Sequence, residues 1–194
     1  MATSVIEICN NALIDLGETT IMSLTDDTQT ARLCNQRWPA VRDAVLRAHP
    51  WNCCMTQAEL AAVSGPPVWK WDFQYRVPTD TLRVIEPVSS SETPVDAWEV
   101  QGRTIFCNER PPIYIAYVRR ETDPQLYDSL LDESLAARLS AVLAYPLTGS
   151  TSLAQSFWAN YQGKLAEARG VDAREGSPTH LTSHAWLAAK LGRD

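Results

Sequence analysis

No stretch of the 194-residue sequence approaches the roughly 18 consecutive apolar residues that a membrane-spanning helix needs, so no membrane partner is expected. The first apolar stretch contains Glu7 and has no basic region before it, so no signal peptide is expected. Glycine is scarce and scattered: the eight residues form neither Gly-x-Gly-x-x-Gly nor a Walker loop with its lysine, which removes two common phosphate-cradling loops. Positive charge is not in excess, with 17 basic against 23 acidic side chains and a net charge of −6. That balance excludes a protein that grips nucleic acid by bulk charge, whose footprint is basic. The five cysteines are odd in number and lack framework spacing, so reduced thiols made in a cytoplasm are expected rather than disulfides. No internal repeat is visible.

What is present is ordinary globular material, 45% hydrophobic and 21% charged, long enough to bury a core without disulfides or metal. Ser4 with Glu7 three residues on suggests a capping box for a helix over 4–16, in which Val5, Ile8, Cys9, Ala12, Leu13 and Leu16 share a face and Gly17 supplies the stop. A second helix is expected from Asp26–Asp27 to about Ala48, with Cys34, Trp38, Val41 and Val45 on its apolar face and Pro39 kinking or splitting it. Cys9 and Cys34 read as small core hydrophobes. Trp69, Trp71, Phe73, Tyr75 and Val77 alternate with polar residues, the period of a half-buried strand, and Trp69 and Trp71 are expected in the core. Further strands are expected at 82–88, 97–101, 103–107 and 113–118, with a loop at 89–94; residues 51–62 read equally as strand or helix. Asp123-Pro124 opens the next helix, with Leu135, Leu139, Val142 and Leu143 on one face and Pro146 as its stop. Ser150-Thr151 opens the last, in which Leu153, Phe157, Tyr161 and Leu165 recur every four residues. From Gly170 the chain turns small and polar.

These elements imply an α+β fold. Residues 1–50 and 123–170 supply the helices of a bundle, 51–122 an inserted antiparallel β layer, and 171–194 an extended tail.

Chemistry is hard to find. His49, Cys53 and Cys54 form the one compact set of metal-ligand types, but a structural zinc site wants four ligands and no second pair exists. His180 and His184 lie four apart without the glutamate of a metalloprotease motif. No catalytic residue, metal or cofactor is therefore expected. Charge is unevenly placed instead. Residues 1–27 hold five acids, Glu7 and Asp15 among them, and no lysine or arginine; residues 28–49 hold Arg32, Arg37, Arg42 and Arg47 against Asp43. Glu7 and Asp15 of one copy could meet Arg42 and Arg47 of the next head to tail, or both faces could simply meet water. Trp186 lies in a polar tail with Leu187 and Leu191 at helical spacing, which suits an anchor on a partner.

The ordered set Asn11-Ala12-Leu13, Leu16-Gly17-Glu18, Ile21, Ser23-Leu24, Ala31, Cys34, Trp38-Pro39, Arg42-Asp43, Leu46-Arg47 and His49-Pro50-Trp51-Asn52 resembles the head-to-tail adaptor family of tailed bacteriophages. That family includes the tail tubular proteins A of short-tailed phages and adaptors of gene-transfer agents. Tyr75, Pro78, Asp80 and Leu82-Arg83-Val84 resemble its central strands, and Trp186 with Arg193 its ending. Cys53-Cys54 departs from it, since many relatives carry an aromatic and a small residue there. The resemblance implies a non-enzymatic virion protein of the phage neck, made in the host cytoplasm. It implies a ring, twelve-membered in the family, that docks between the portal protein and a nozzle or tail protein and helps retain the packaged genome. DNA would pass through its lumen without sequence-specific binding. Trp186, Leu187, Leu191 and Arg193 become candidate portal contacts. A virion-associated peptidoglycan hydrolase and a monomeric head-completion plug are the alternatives.

Overall fold

A computed structural model describes residues 4–175. The chain is α+β. Four helices, α1 (Val5–Asp15), α2 (Gln29–Ala48), α3 (Ser129–Thr148) and α4 (Thr151–Asp172), enclose in sequence six strands. The strands are β1 (Met55–Leu60), β2 (Phe73–Arg76), β3 (Thr81–Val88), β4 (Trp98–Gln101), β5 (Thr104–Cys107) and β6 (Ile113–Arg119). The ambiguous stretch 51–62 resolves into a 3-10 turn at Asn52–Cys54 and then β1.

Each helix is bounded by local chemistry. The Ser4 hydroxyl accepts the Glu7 amide at 3.1 Å. The far end of α1 closes with Gly17 at φ +73°, the Gly17 amide on Ile14 O at 3.0 Å and the Glu18 amide on Leu13 O at 2.9 Å. That double closure needs a left-handed residue, which glycine supplies without a Cβ penalty. The cap of α2 is Thr28, not Asp26 or Asp27. Asp26 instead folds its own loop, its carboxylate accepting the amides of Met22 and Ser23. Neither helical proline interrupts its helix. Pro39 lies inside α2 and Pro146 inside α3, and α3 ends three residues later at Gly149, φ +68°. Both prolines are exposed, so water can take the carbonyl each leaves unbonded. Asp123 caps only a 3-10 turn, Pro124–Leu126; Asp128 caps α3. The last helix runs past Gly170 to Asp172.

Helix α3 is the centre of the bundle and packs against α1, α2 and α4. Its buried residues go round the cylinder: Leu131, Leu135, Leu139 and Leu143, the small Ala136, Ala137 and Ala144, and two serines. Ser134 and Ser140 hydroxyls donate to the carbonyls of Leu130 and Ala136, which satisfies polar groups that have no water to bond. Of the apolar series on α4, only Tyr161 and Leu165 are buried; Leu153 is exposed.

The insertion is two three-stranded antiparallel sheets, ordered β1-β6-β3 and β2-β5-β4. The bridge Ala62↔Tyr75 ties the extension of β1 to β2 across the two sheets. Alternation along β6 gives the first sheet two jobs. Ile113, Ile115 and Tyr117 join Leu60, Tyr75, Val77, Ile105 and Cys107 in a core between the sheets. Val118, with Met55, Leu82 and Ile85, packs on the bundle core.

The expected long strand through Trp69 and Trp71 is wrong at its first half. Lys70 has φ +72°, which breaks an extended run, and Trp69 is 77% exposed rather than core. The aromatic alternation belonged to β2 only from Phe73 onward.

Gly149→Ala should cost about 1–2 kcal/mol through the left-handed backbone alone, since no atom lies within 4 Å of a Cβ built there. A melting temperature lowered by about 2–8 °C in calorimetry checks this. Burial raises the pKa of Tyr75 to about 12 and pushes Tyr117 and Tyr127 upward as well. Their raised folded values mean that their stabilising contribution is full below the unfolded pKa near 10 and is lost as pH rises through the folded values. Absorbance titration at 295 nm should show these three ionising late and together with alkaline unfolding.

Candidate interaction surfaces

The junction between bundle and sheets is where the predicted basic residues are found. The Arg42 guanidinium meets Asp43 through Nε at 3.0 Å and Nη2 at 2.8 Å, and the other Asp43 oxygen takes Arg120 Nε at 2.8 Å. The Arg120 amide in turn donates to Asp80 O at 2.7 Å. Arg47 donates to the backbone carbonyl of Leu82 in β3. Two arginines assigned to a subunit contact are thus engaged inside the chain: Arg47 fastens α2 to β3, and Arg42 holds Asp43, which takes Arg120 of the insertion. Arg32 forms a surface pair with Asp27 at 3.3 Å, of a kind worth about 0–1 kcal/mol. Glu7 and Asp15 are exposed on α1, with the Ser140 hydroxyl 3.4 Å from Asp15. The structure therefore brings Arg42 and Arg47 to one seam and leaves the two acids on the surface of α1.

A second seam holds the end of α4. Buried Asp172 accepts from the Asn52 amide at 3.1 Å and faces His49 Nε2 at 3.0 Å, and Asn52 Nδ2 donates to the Asp172 carbonyl at 2.9 Å. Arg169 adds a bond to Ala48 O at 2.9 Å. The last residues of the chain's final helix are thereby tied to the point where α2 enters the insertion. Sequence reading placed Asp172 in a linker. The signal it passed over is electrostatic: an acid at a helix C-terminus opposes the macrodipole, so it is retained when a tertiary partner holds it.

That seam also settles what the His49, Cys53 and Cys54 cluster does. His49 is turned to Asp172 and stacks edge-on to Trp51 at 4.9 Å. Cys53 and Cys54 sulfurs lie 3.6 Å apart; their mutual hydrogen bond raises Cys54 well above the usual thiol range and lowers Cys53. Among the described residues no group of three or more His, Cys, Asp or Glu side chains could hold a metal ion.

Large apolar side chains reach the surface in separate places. The loop between β1 and β2 presents Val68, fully exposed, with Trp69 and Val63. The hairpin end of α3 and α4 presents Tyr145, Leu153 and Trp158. Arg138 stacks 4.2 Å over Trp158 and 4.9 Å over Tyr161, which stiffens that end. Ile14 and Met22 flank the loop that Asn10 pins through two bonds to the Ile21 backbone. Trp186, Leu187, Leu191 and Arg193 lie outside the described residues.

Asp172→Ala removes a buried acceptor from the Asn52 amide and the partner of His49, and should cost about 1–3 kcal/mol. Chemical denaturation checks this, and Asp172→Asn should recover part of the loss by keeping one acceptor. No protein-family model matches the chain, and no curated protein matches it.

Proposed function

We propose that the protein is a structural subunit of a phage neck, assembling head to tail into a ring between portal and nozzle or tail, and forming part of the channel through which the genome leaves. The observation that carries this reading is the contrast between finished interiors and unfinished surfaces. Two cores are closed by the chain's own elements, yet Val68, Trp69, Met22, Tyr145 and Trp158 stand in water in three regions of one small protein. Heterologous association, in which different patches of one subunit meet different patches of the next, buries such a set. The resemblance over residues 11–52 supplies the identity of the assembly. The acidic balance suits a channel wall that DNA slides past.

The internal engagement of Arg42 and Arg47 changes how the electrostatic contact should be tested. Reversing either would strip a bond from the α2 seam and lower the melting temperature of the monomer. Glu7→Arg and Asp15→Arg are the better variants, because both acids are exposed and only Asp15 has a tertiary contact, the Ser140 hydroxyl at 3.4 Å. They should slow or abolish ring formation on portal while the monomer stays folded, its melting temperature moving by a few degrees at most. Trp69→Ser combined with Val68→Ser should do the same by removing an aromatic anchor, a loss of about 2 kcal/mol or more of binding. Sedimentation velocity with and without portal reads both. Unchanged rings in all variants sink the assignment of these surfaces, and a single copy on portal favours the plug.

The tail enters the proposal through its sequence: Trp186, Leu187, Leu191 and Arg193 would clasp the portal. Since α4 is already anchored at Asp172, deleting residues 177–194 should leave the monomer's stability intact and weaken its hold on portal. Portal affinity unaffected by the deletion removes the clasp.

A further inference from the structure

One cleft has a chemistry that a structural connector does not require. It lies between β3, the β4–β5 hairpin and the end of α2, has a volume of about 430 Å³, and is lined by Arg47, Arg83 and Arg103 together with Thr81 and Trp98. None of its lining residues is acidic. Three guanidiniums on one cleft, in a chain with net charge −6, are a concentration of like charge that an anion relieves. We propose that this cleft is a phosphate-binding site, taking the phosphate groups of a nucleic-acid backbone or of a free phosphate compound.

The donors are set rather than loose. Arg47 gives one N–H to Leu82 O, and Arg103 gives Nη2 to Pro78 O at 2.5 Å. Each fork is thereby oriented by the backbone and keeps further N–H groups for a ligand, since a guanidinium carries five. Arg83 is exposed on β3, next to the Leu82 carbonyl that braces Arg47. The Thr81 hydroxyl oxygen beneath the cleft is buried and has no hydrogen-bond partner among the described residues. Planar, weakly hydrated guanidiniums match the geometry of phosphate oxygens better than ammonium groups do. Trp98 adds a half-buried aromatic wall against which an attached base or sugar can lie. The cleft is on the insertion, away from the α1 acids, and the proposal does not rest on the connector reading.

Fluorescence anisotropy of a short labelled DNA duplex and calorimetry with pyrophosphate, both on the full-length protein at low salt, test it. Arg83→Glu and the milder Arg83→Gln leave both backbone braces in place and should weaken binding about tenfold or more for the former, as expected when charge-assisted bonds are lost. Arg37→Glu, an equal charge change on the exposed face of α2, should have little effect. If the duplex is the ligand, the slope of log affinity against log salt should fall by about one for each phosphate contact removed. Pyrophosphate binding without duplex binding supports the site and identifies a free phosphate compound as its ligand; duplex binding sensitive to Arg83 identifies a nucleic-acid backbone. The proposal is overturned if neither probe binds, if Arg37→Glu and Arg83→Glu weaken binding equally, or if only a polyglutamate peptide binds, which would make the cleft a contact for an acidic protein.

Discussion

The burial of α3 over most of its circumference is the constraint on which the rest of the structure depends. A helix whose apolar residues extend well beyond one stripe has to be covered by several neighbours, and here α1, α2 and α4 cover it, leaving Glu133 and the Tyr145–Pro146 end in water. Leucines at 131, 135, 139 and 143 fill one flank, while Ala136, Ala137 and Ala144 let neighbouring backbones come close. The two serines could occupy this position because a serine hydroxyl can return its proton to its own helix, four residues back. Since α1 and α2 precede the strands and α3 and α4 follow them, closing this bundle brings the two ends of the insertion, near Trp51 and Glu121, to one place. The β layer is therefore held at its base by a folded bundle before any contact of its own is counted.

That base is polar, and it works as a set of fixed attachments rather than as a reactive centre. Asp43 joins Arg42 to Arg120, Arg47 reaches β3, buried Glu121 accepts the amides of Thr122 and Asp123 and pairs with Arg119, and Asp172 closes onto Asn52. Asp43–Arg120, Arg47–Leu82 and Asp172–Asn52 join bundle helices to the insertion or its entry, Arg42–Asp43 orients the acid within α2, and the Glu121 bonds fix the turn after β6. Buried or half-buried acids that accept two or more donors are costly to disrupt, because removing one partner leaves the others unsatisfied. The orientation of the insertion on the bundle is thus specified by directional bonds on a hydrophobic contact made by Met55, Leu82, Ile85 and Val118.

Local signals were legible in the sequence where a residue's own backbone demand decided the outcome. Ser4, Gly17, Ser150 and the strand at 113–118 all did their expected work, and the α+β order followed from where helical period gives way to strand period. Reading failed where tertiary context outweighed a local cue. Pro39 and Pro146 are strong breakers in isolation, yet exposed positions on packed helices tolerate them. Trp69 and Trp71 fit a strand period, but Lys70 takes a left-handed conformation and turns Trp69 outward. A single face was expected for α3 because its leucines dominate the pattern; the alanines and serines between them are buried too, which only the neighbours reveal. The arginines of α2 were legible as a group but not in their roles, since whether a guanidinium faces water, a carboxylate or a backbone carbonyl depends on segments far away in sequence, 35 residues for Arg47 and Leu82 and 77 for Asp43 and Arg120.

The distribution of those arginines has a consequence for the surface. Every guanidinium that binds an internal carboxylate or carbonyl is withdrawn in part from the outer field of an acidic protein, and Arg42 is nearly hidden. The bundle face that carries Glu7 and Asp15 is left with its negative charge uncompensated. The cleft on the insertion is the reverse case, in which Arg47 and Arg103 are oriented by carbonyls, which carry no net charge, so the bonds fix the side chains without neutralising them. A carboxylate in either place would have silenced the cleft. The same type of residue is thus partly neutralised where it meets Asp43 and keeps its full charge where it meets Leu82 O and Pro78 O. The two polarities lie apart in the chain, the acids on α1 and the guanidiniums where the end of α2 meets the insertion.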